Sequence, residues 1–168
     1  MSEKHTRITE LYELKVKDLV EPVNAKISCV EKTDAIDQVF LRLGKKNHVW
    51  VVDDNIALHV LGVITESDTL QLFAPACTPL QSFDKPTLQS FQYGLATTAE
   101  EIMSKQPITL DLEEKIIDVI TKMKQHKIKQ LPVVDENERL IGEVTLSRLI
   151  QEYSKQQAEI MKKQIEIS

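Results

Sequence analysis

Apolar residues at Ile36, Val39, Phe40 and Leu43 follow an i, i+3, i+4, i+7 spacing, and Ile116, Val119, Ile120 and Met123 repeat it. The spacing predicts one buried stripe on each of two amphipathic helices, about residues 34–43 and about 113–126. Short apolar runs precede each helix (27–30 and 108–110) and β-rich runs follow it (48–52 and 130–134). Polar turns come next, within "DDNIALHVLGVI" and "DENERLIGEV", where Asp and Asn suit a hairpin before a second strand. A further helix then opens on a hydroxyl residue, Thr65 or Thr145, each a natural N-cap. The chain thus reads β-α-β-β-α twice. Thr65 and Thr145 lie 145 − 65 = 80 positions apart, and the same offset aligns both helical stripes.

The pattern divides the chain into an N-terminal segment (1–15), a first repeat (16–73), a linker (74–98), a second repeat (99–153) and a C-terminal helical extension (154–168). The linker holds three of the six prolines together with Phe83, Phe91 and Tyr93. It is too apolar for a free tether and is expected to pack on the body or on a partner. From Leu146 to about Ile167 the residues Leu149, Ile150, Tyr153, Ile160 and Met161 are spaced helically. They predict a long helix that projects or meets a neighbour, a merely solvated helix being the alternative for its final turns.

Composition adds limits. Hydrophobic residues make up 42% and charged residues 28% of 168, enough apolar material for a globular core. The net charge of −5 opposes binding to nucleic acid or anionic lipid. No run reaches the roughly 18 apolar residues of a membrane span, and the N-terminus lacks the apolar core of a signal peptide. Cys29 and Cys77 form no ligand-like pair, which suits a reduced, cytoplasmic protein. There is no nucleophile–base constellation, no His/Cys cluster and no Gly-rich phosphate loop. The expectation is a protein that is not an enzyme.

The two halves, "VWVVDDNIALHVLGVITESDTL" and "LPVVDENERLIGEVTLSRL", resemble a pair of cystathionine β-synthase (CBS) domains over about residues 16–153. The first half departs from the pattern: Trp50 stands where a Pro is usual, and its helix-to-strand connection is two residues shorter. The resemblance implies an α+β fold of two repeats packed with pseudo-two-fold symmetry. It also implies a cleft between them for AMP, ADP, ATP or S-adenosylmethionine, with no cofactor required. Such modules pair into homodimers and regulate an attached or associated protein by conformational change. A ligand-free module that dimerises and holds a partner is the alternative.

The family's ligand signature is Gly, two apolar residues, Ser or Thr, two variable residues, then Asp. "GVITESD" (62–68) keeps all of it, whereas "GEVTLSR" (142–148) ends on Arg. Thr65 with the free N–H groups of a helix start suits a phosphate or ribose oxygen. Asp68, an acceptor only, can take hydrogen bonds from both hydroxyls of one ribose. The competing reading is a capping box, with Asp68 returning a bond to the Thr65 N–H. Arg148, three residues after Thr145, has donors only. It marks a decayed site, a phosphate contact, or an ion pair with Glu152 at i+4. One competent site per chain is expected. The resemblance further points to basic residues ahead of each second strand as phosphate contacts: Lys46 and His48, with Lys45, and Lys127 and Lys129, with His126. Ile27 to Val30 and Val49 to Val51, with Ser28, Cys29, Val30 and Val49 singled out, are the candidate adenine slot, although the same strands are needed as core.

Overall fold

The structure is a computed structural model, and it describes residues 3–22, 29–73 and 97–167. Ser28, Ile27, Cys77 and most of the linker lie outside the described residues, as does the expectation that the linker packs on the body. The chain divides into two compact units that do not follow chain order: residues 28–107 form one, and residues 1–27 join 108–168 in the other.

In the 28–107 unit, β2 (Cys29–Glu31) lies parallel to β3 (His48–Val52). β3 pairs antiparallel with β4 (Val60–Thr65), and β4 with the two-residue β5 (Ser104–Lys105). Helix α3 (Ile36–Leu43) follows β2, α4 (Glu66–Phe73) follows β4, and the single-turn α5 (Ala99–Ile102) precedes β5. The predicted stripe packs as its period requires: Val39 and Leu43 are buried with Val30, Val49, Val51, Ile64 and Ala99. Each buried Val, Leu or Ile side chain stabilises by about 1.5–3 kcal/mol. Trp50 is also buried, and its ring meets that of His48 edge-on with centroids 5.3 Å apart.

The second unit repeats the plan. Helix α1 (Glu3–Glu13), the single-turn α2 (Val16–Leu19) and β1 (Glu21–Pro22) come from the N-terminal segment. Helix α6 (Ile116–His126), β6 (Gln130–Val134), β7 (Leu140–Thr145) and α7 (Leu146–Ile167) come from the second half. The sheet order is β1-β7-β6, antiparallel throughout. Leu11, Val16 and Leu19 of the N-terminal segment are buried with Leu110, Ile116, Val119, Met123, Leu131, Val133, Val144 and Leu149. Tyr153 packs against this core, and Met161 on the extension of α7 is exposed.

The units therefore share a device. A lead-in segment of one turn and a short strand, 15–22 or 98–105, lies along the second hairpin strand of a repeat. It does so where that strand carries glycine: Gly142 is opposite Pro22, and Gly62 is opposite Lys105. A Cβ at Gly62 would stand 2.6 Å from Met103 Sδ and 2.7 Å from the Ser104 carbonyl oxygen. One at Gly142 would run into the Val20 side chain and lie 2.5 Å from the Glu21 carbonyl oxygen. Close backbone approach is what glycine in a strand interior permits.

Three boundaries differ from the sequence expectation, each because tertiary pairing overrides local preference. The strand expected at 108–110 is a single parallel bridge, Leu110 with Val133. Pro107 has no N–H to give a ladder, and Gln106 before it turns with φ 55°. Both repeat helices also start later than their acidic residues suggest. Ala35 and Lys115 are extended, with ψ 147° each, since they bridge Thr98 and Lys15 of the lead-in segments.

Candidate functional site

The candidate site centres on the junction where β4 turns into α4. Thr65 ends the strand, and Asp68 stands in the first turn of the helix. Asp68 Oδ2 accepts the Thr65 backbone N–H at 2.7 Å and the Thr65 hydroxyl at 2.8 Å. The return bond of a capping box is thus present, while the Thr65 hydroxyl donates to the carboxylate rather than accepting the Asp68 N–H. Both bonds occupy one oxygen of a half-buried carboxylate. Among the described residues, no donor reaches Oδ1. The cap therefore fixes the carboxylate's orientation and leaves acceptor capacity in place. The neighbouring Thr69 hydroxyl is used internally, donating to the Glu66 carbonyl at 2.6 Å.

The β3–β4 ladder brings further candidates to this junction. His48 is the register partner of Thr65, and Val49 that of Ile64. The Glu66 N–H donates to the Asn47 carbonyl at 3.4 Å, so the Lys46–His48 run lies against the start of α4. Lys46 and His48 are half-buried. Asn47 was not singled out in the sequence; a backbone contact leaves no side-chain signal there. Cys29 is half-buried in β2 opposite Trp50, and Val30 is opposite Val51. Val30 and Val49 are buried in the core, so any contact from them to a ligand would come from their backbone.

In the other unit the corresponding residues are Lys127, Lys129, Thr145 and Arg148. The Leu146 N–H donates to the Lys129 carbonyl at 2.7 Å, repeating the Asn47 contact. Lys127 is exposed and caps α6 in the left-handed region, φ 56° and ψ 37°. Thr145 has changed its hydrogen-bonding role: its hydroxyl accepts the Arg148 N–H at 3.1 Å, whereas the Thr65 hydroxyl donates to a carboxylate. The Arg148 guanidinium lies 3.9 Å from Glu152 Oε2, the i+4 partner foreseen for it. The Asp-to-Arg difference thus turns an acceptor at the helix start into a cation turned along the helix.

Among the described residues, no group of three His, Cys, Asp or Glu side chains could hold a metal ion. No described helix is long and apolar enough to cross a membrane.

Comparison with known proteins bears on this arrangement. The CBS domain family matches residues 99–155. CBSX2, solved in complex with AMP, superposes with a TM-score of 0.68 at 21% identity, covering 85% of this chain and 98% of that one. The CBS domain pair of protein MJ0100 has a TM-score of 0.63 at 25% identity, covering 83% and 99%. That structure holds 5′-methylthioadenosine and S-adenosyl-L-methionine. Residues 99–155 match the CBS family itself, and the chain as a whole has the fold of a tandem CBS domain pair, a mixed α+β fold built on two sheets. A homoserine O-acetyltransferase of Methanosphaera stadtmanae is 29% identical over 110 residues, 66% of this chain but 18% of the enzyme. The chain thus spans under a fifth of that relative's length.

Proposed function

We propose that the chain is a regulatory module that binds an adenosine-containing molecule at the Thr65–Asp68 junction. The observation that carries this reading is the Asp68 carboxylate, oriented by two bonds from Thr65 and still able to accept. Asp68 takes the ribose hydroxyls, and the basic run Lys46–His48 faces the phosphate or other polar end of the ligand. Lys127 and Lys129 play the corresponding part in the second half, where Arg148 withholds the sugar acceptor. Backbone groups of residues 28–30 and 49 meet the base. The ligands held by CBSX2 and MJ0100 support the class, AMP or S-adenosylmethionine, without choosing between them. The module acts as a homodimer in the cytoplasm and passes ligand occupancy to an associated protein by a change of conformation. It catalyses nothing itself.

A second reading, a ligand-free scaffold, draws support from the capping bonds at Asp68 and from Arg148 at the matching place. Thermal unfolding with AMP, ADP, ATP and S-adenosylmethionine separates the two. A ligand at 100 times its dissociation constant adds about 2.7 kcal/mol to the stability of a protein that binds it only when folded. The sensor reading expects this gain with at least one of the four and its loss in Asp68→Asn. No gain with any of them favours the scaffold.

A further inference from the structure

The two lead-in segments meet their repeats through the same backbone bonds. In one unit the Val16, Lys17 and Ile116 N–H groups donate to the carbonyls of Glu114, Leu112 and Leu14, at 2.9, 3.0 and 2.8 Å. In the other, the Ala99, Glu100 and Ile36 N–H groups donate to Asp34, Lys32 and Thr97, at 2.9, 3.0 and 3.2 Å. Each pairing has one bridge, Lys15 with Lys115 and Thr98 with Ala35. Each lead-in caps its own turn with an acid: Asp18 accepts from the Lys15 N–H, and Glu101 accepts from the Thr98 N–H. Main-chain geometry therefore does not distinguish the native matching from the exchanged one, in which each lead-in would join the repeat that follows it in the chain.

The side chains do distinguish them. Lys15 and Lys17 both reach Glu113, at 2.6 and 2.8 Å, and Lys115 reaches Glu13 at 2.7 Å. Among the described residues, the pairing of 97–100 with 32–36 carries no ion pair. We propose that these five charges, with Glu100, are a matching code that assigns each lead-in to its repeat. Glu100 is the register equivalent of Lys17. In the exchanged matching it would stand over Glu113 as one carboxylate over another. Lys15 and Lys17 would lie against Thr33, and Glu13 against Ala35. The native matching is thus favoured by attraction and the exchanged one opposed by repulsion, which is how charge sets pairing when the backbone is indifferent.

The test uses a disulfide reporter that leaves the code intact. Ala35→Cys and Thr98→Cys replace directly bridged residues, whose Cα spacing suits a disulfide, in a full-length chain with Cys29 and Cys77 changed to Ala. Oxidative refolding of this chain is expected to give the 35–98 disulfide. Lys15→Glu, Lys17→Glu and Glu100→Lys together move the code to the other lead-in. They are expected to lower the disulfide yield at least about tenfold, since like-charge juxtaposition is costly. Adding Glu113→Lys recreates complementarity with the native lead-in and is expected to restore the yield. The same restoration is expected if the triple variant fails to fold. An unchanged yield in the triple variant overturns the proposal. So does a fourth substitution that restores neither folding nor the disulfide.

Discussion

Asp68 accepts the backbone N–H and the hydroxyl of Thr65 through one oxygen, Oδ2. The residue thus holds the start of α4 through one oxygen and, in the proposed function, keeps the other for a ligand. Removing the side chain should show both. Asp68→Ala is expected to cost about 1 kcal/mol of stability without any ligand, the usual loss of a capping acceptor. Asp68→Asn keeps an acceptor for the Thr65 N–H and is expected to cost less. Chemical denaturation of the two variants, without nucleotide, checks the order. Equal stability of the Ala variant and the wild type would remove the capping role.

The glycine that opens each heptad is explained by packing. Gly62→Ala sets a methyl against Met103 and the Ser104 carbonyl; Gly142→Ala sets one against Val20 and the Glu21 carbonyl. Each substitution is expected to destabilise by about 1–3 kcal/mol, the range for overpacking a filled interior. Because a carbonyl oxygen lies in the way at both sites, side-chain rearrangement alone cannot relieve the clash. Thermal unfolding of the two variants measures the effect, and a neutral result at both would show that the lead-in strands move aside freely.

Glu113 makes a pH-dependent contribution. Hydrogen bonds from Lys15 and then Lys17 hold its carboxyl down at about 2, against an ordinary 4.5. A carboxylate depressed in the folded state contributes stability that is fully present above its unfolded value and is lost as pH falls through the folded value. The urea midpoint of the wild type is therefore expected to exceed that of Glu113→Gln at neutral pH. The gap should hold down to about pH 5, shrink below it and close near pH 2. Both partners are exposed, so high salt should narrow the gap as well. A gap unaffected by acid would mean that Glu113 acts through something other than its charge.

Much of this was legible in the sequence where the pattern is long. The strands at 48–52 and 130–134 fall where the apolar runs place them, and Val39 and Leu43 of the first stripe lie in the core with Phe40 packed against it. The lead-in strands Glu21–Pro22 and Ser104–Lys105 are two residues each, too short to carry a period. Their membership of the opposite repeat is a tertiary fact that no local propensity encodes. Helix α1 was not anticipated, although its Leu11 is buried in the core. At the site, Thr-x-x-Asp pointed to two residues that the structure joins by hydrogen bonds, with a cap and a ligand acceptor as alternatives. The structure establishes the cap and leaves one carboxylate oxygen over. The sequence allows Arg148 three roles, and the structure sets its guanidinium 3.9 Å from Glu152 Oε2, as one of those roles requires.

The proposed function rests on the Asp68 carboxylate accepting from ribose hydroxyls. Calorimetric titration with AMP and with 2′-deoxy-AMP, on the wild type and on Asp68→Ala, tests it most directly. A hydrogen bond to a charged group is worth about 1.5–3 kcal/mol. The wild type is therefore expected to bind the deoxy compound at least about tenfold more weakly. Asp68→Ala is expected to bind both weakly and to discriminate little between them. Tight AMP binding by the wild type with no preference over the deoxy compound, or the same preference in Asp68→Ala, would remove Asp68 from ribose recognition.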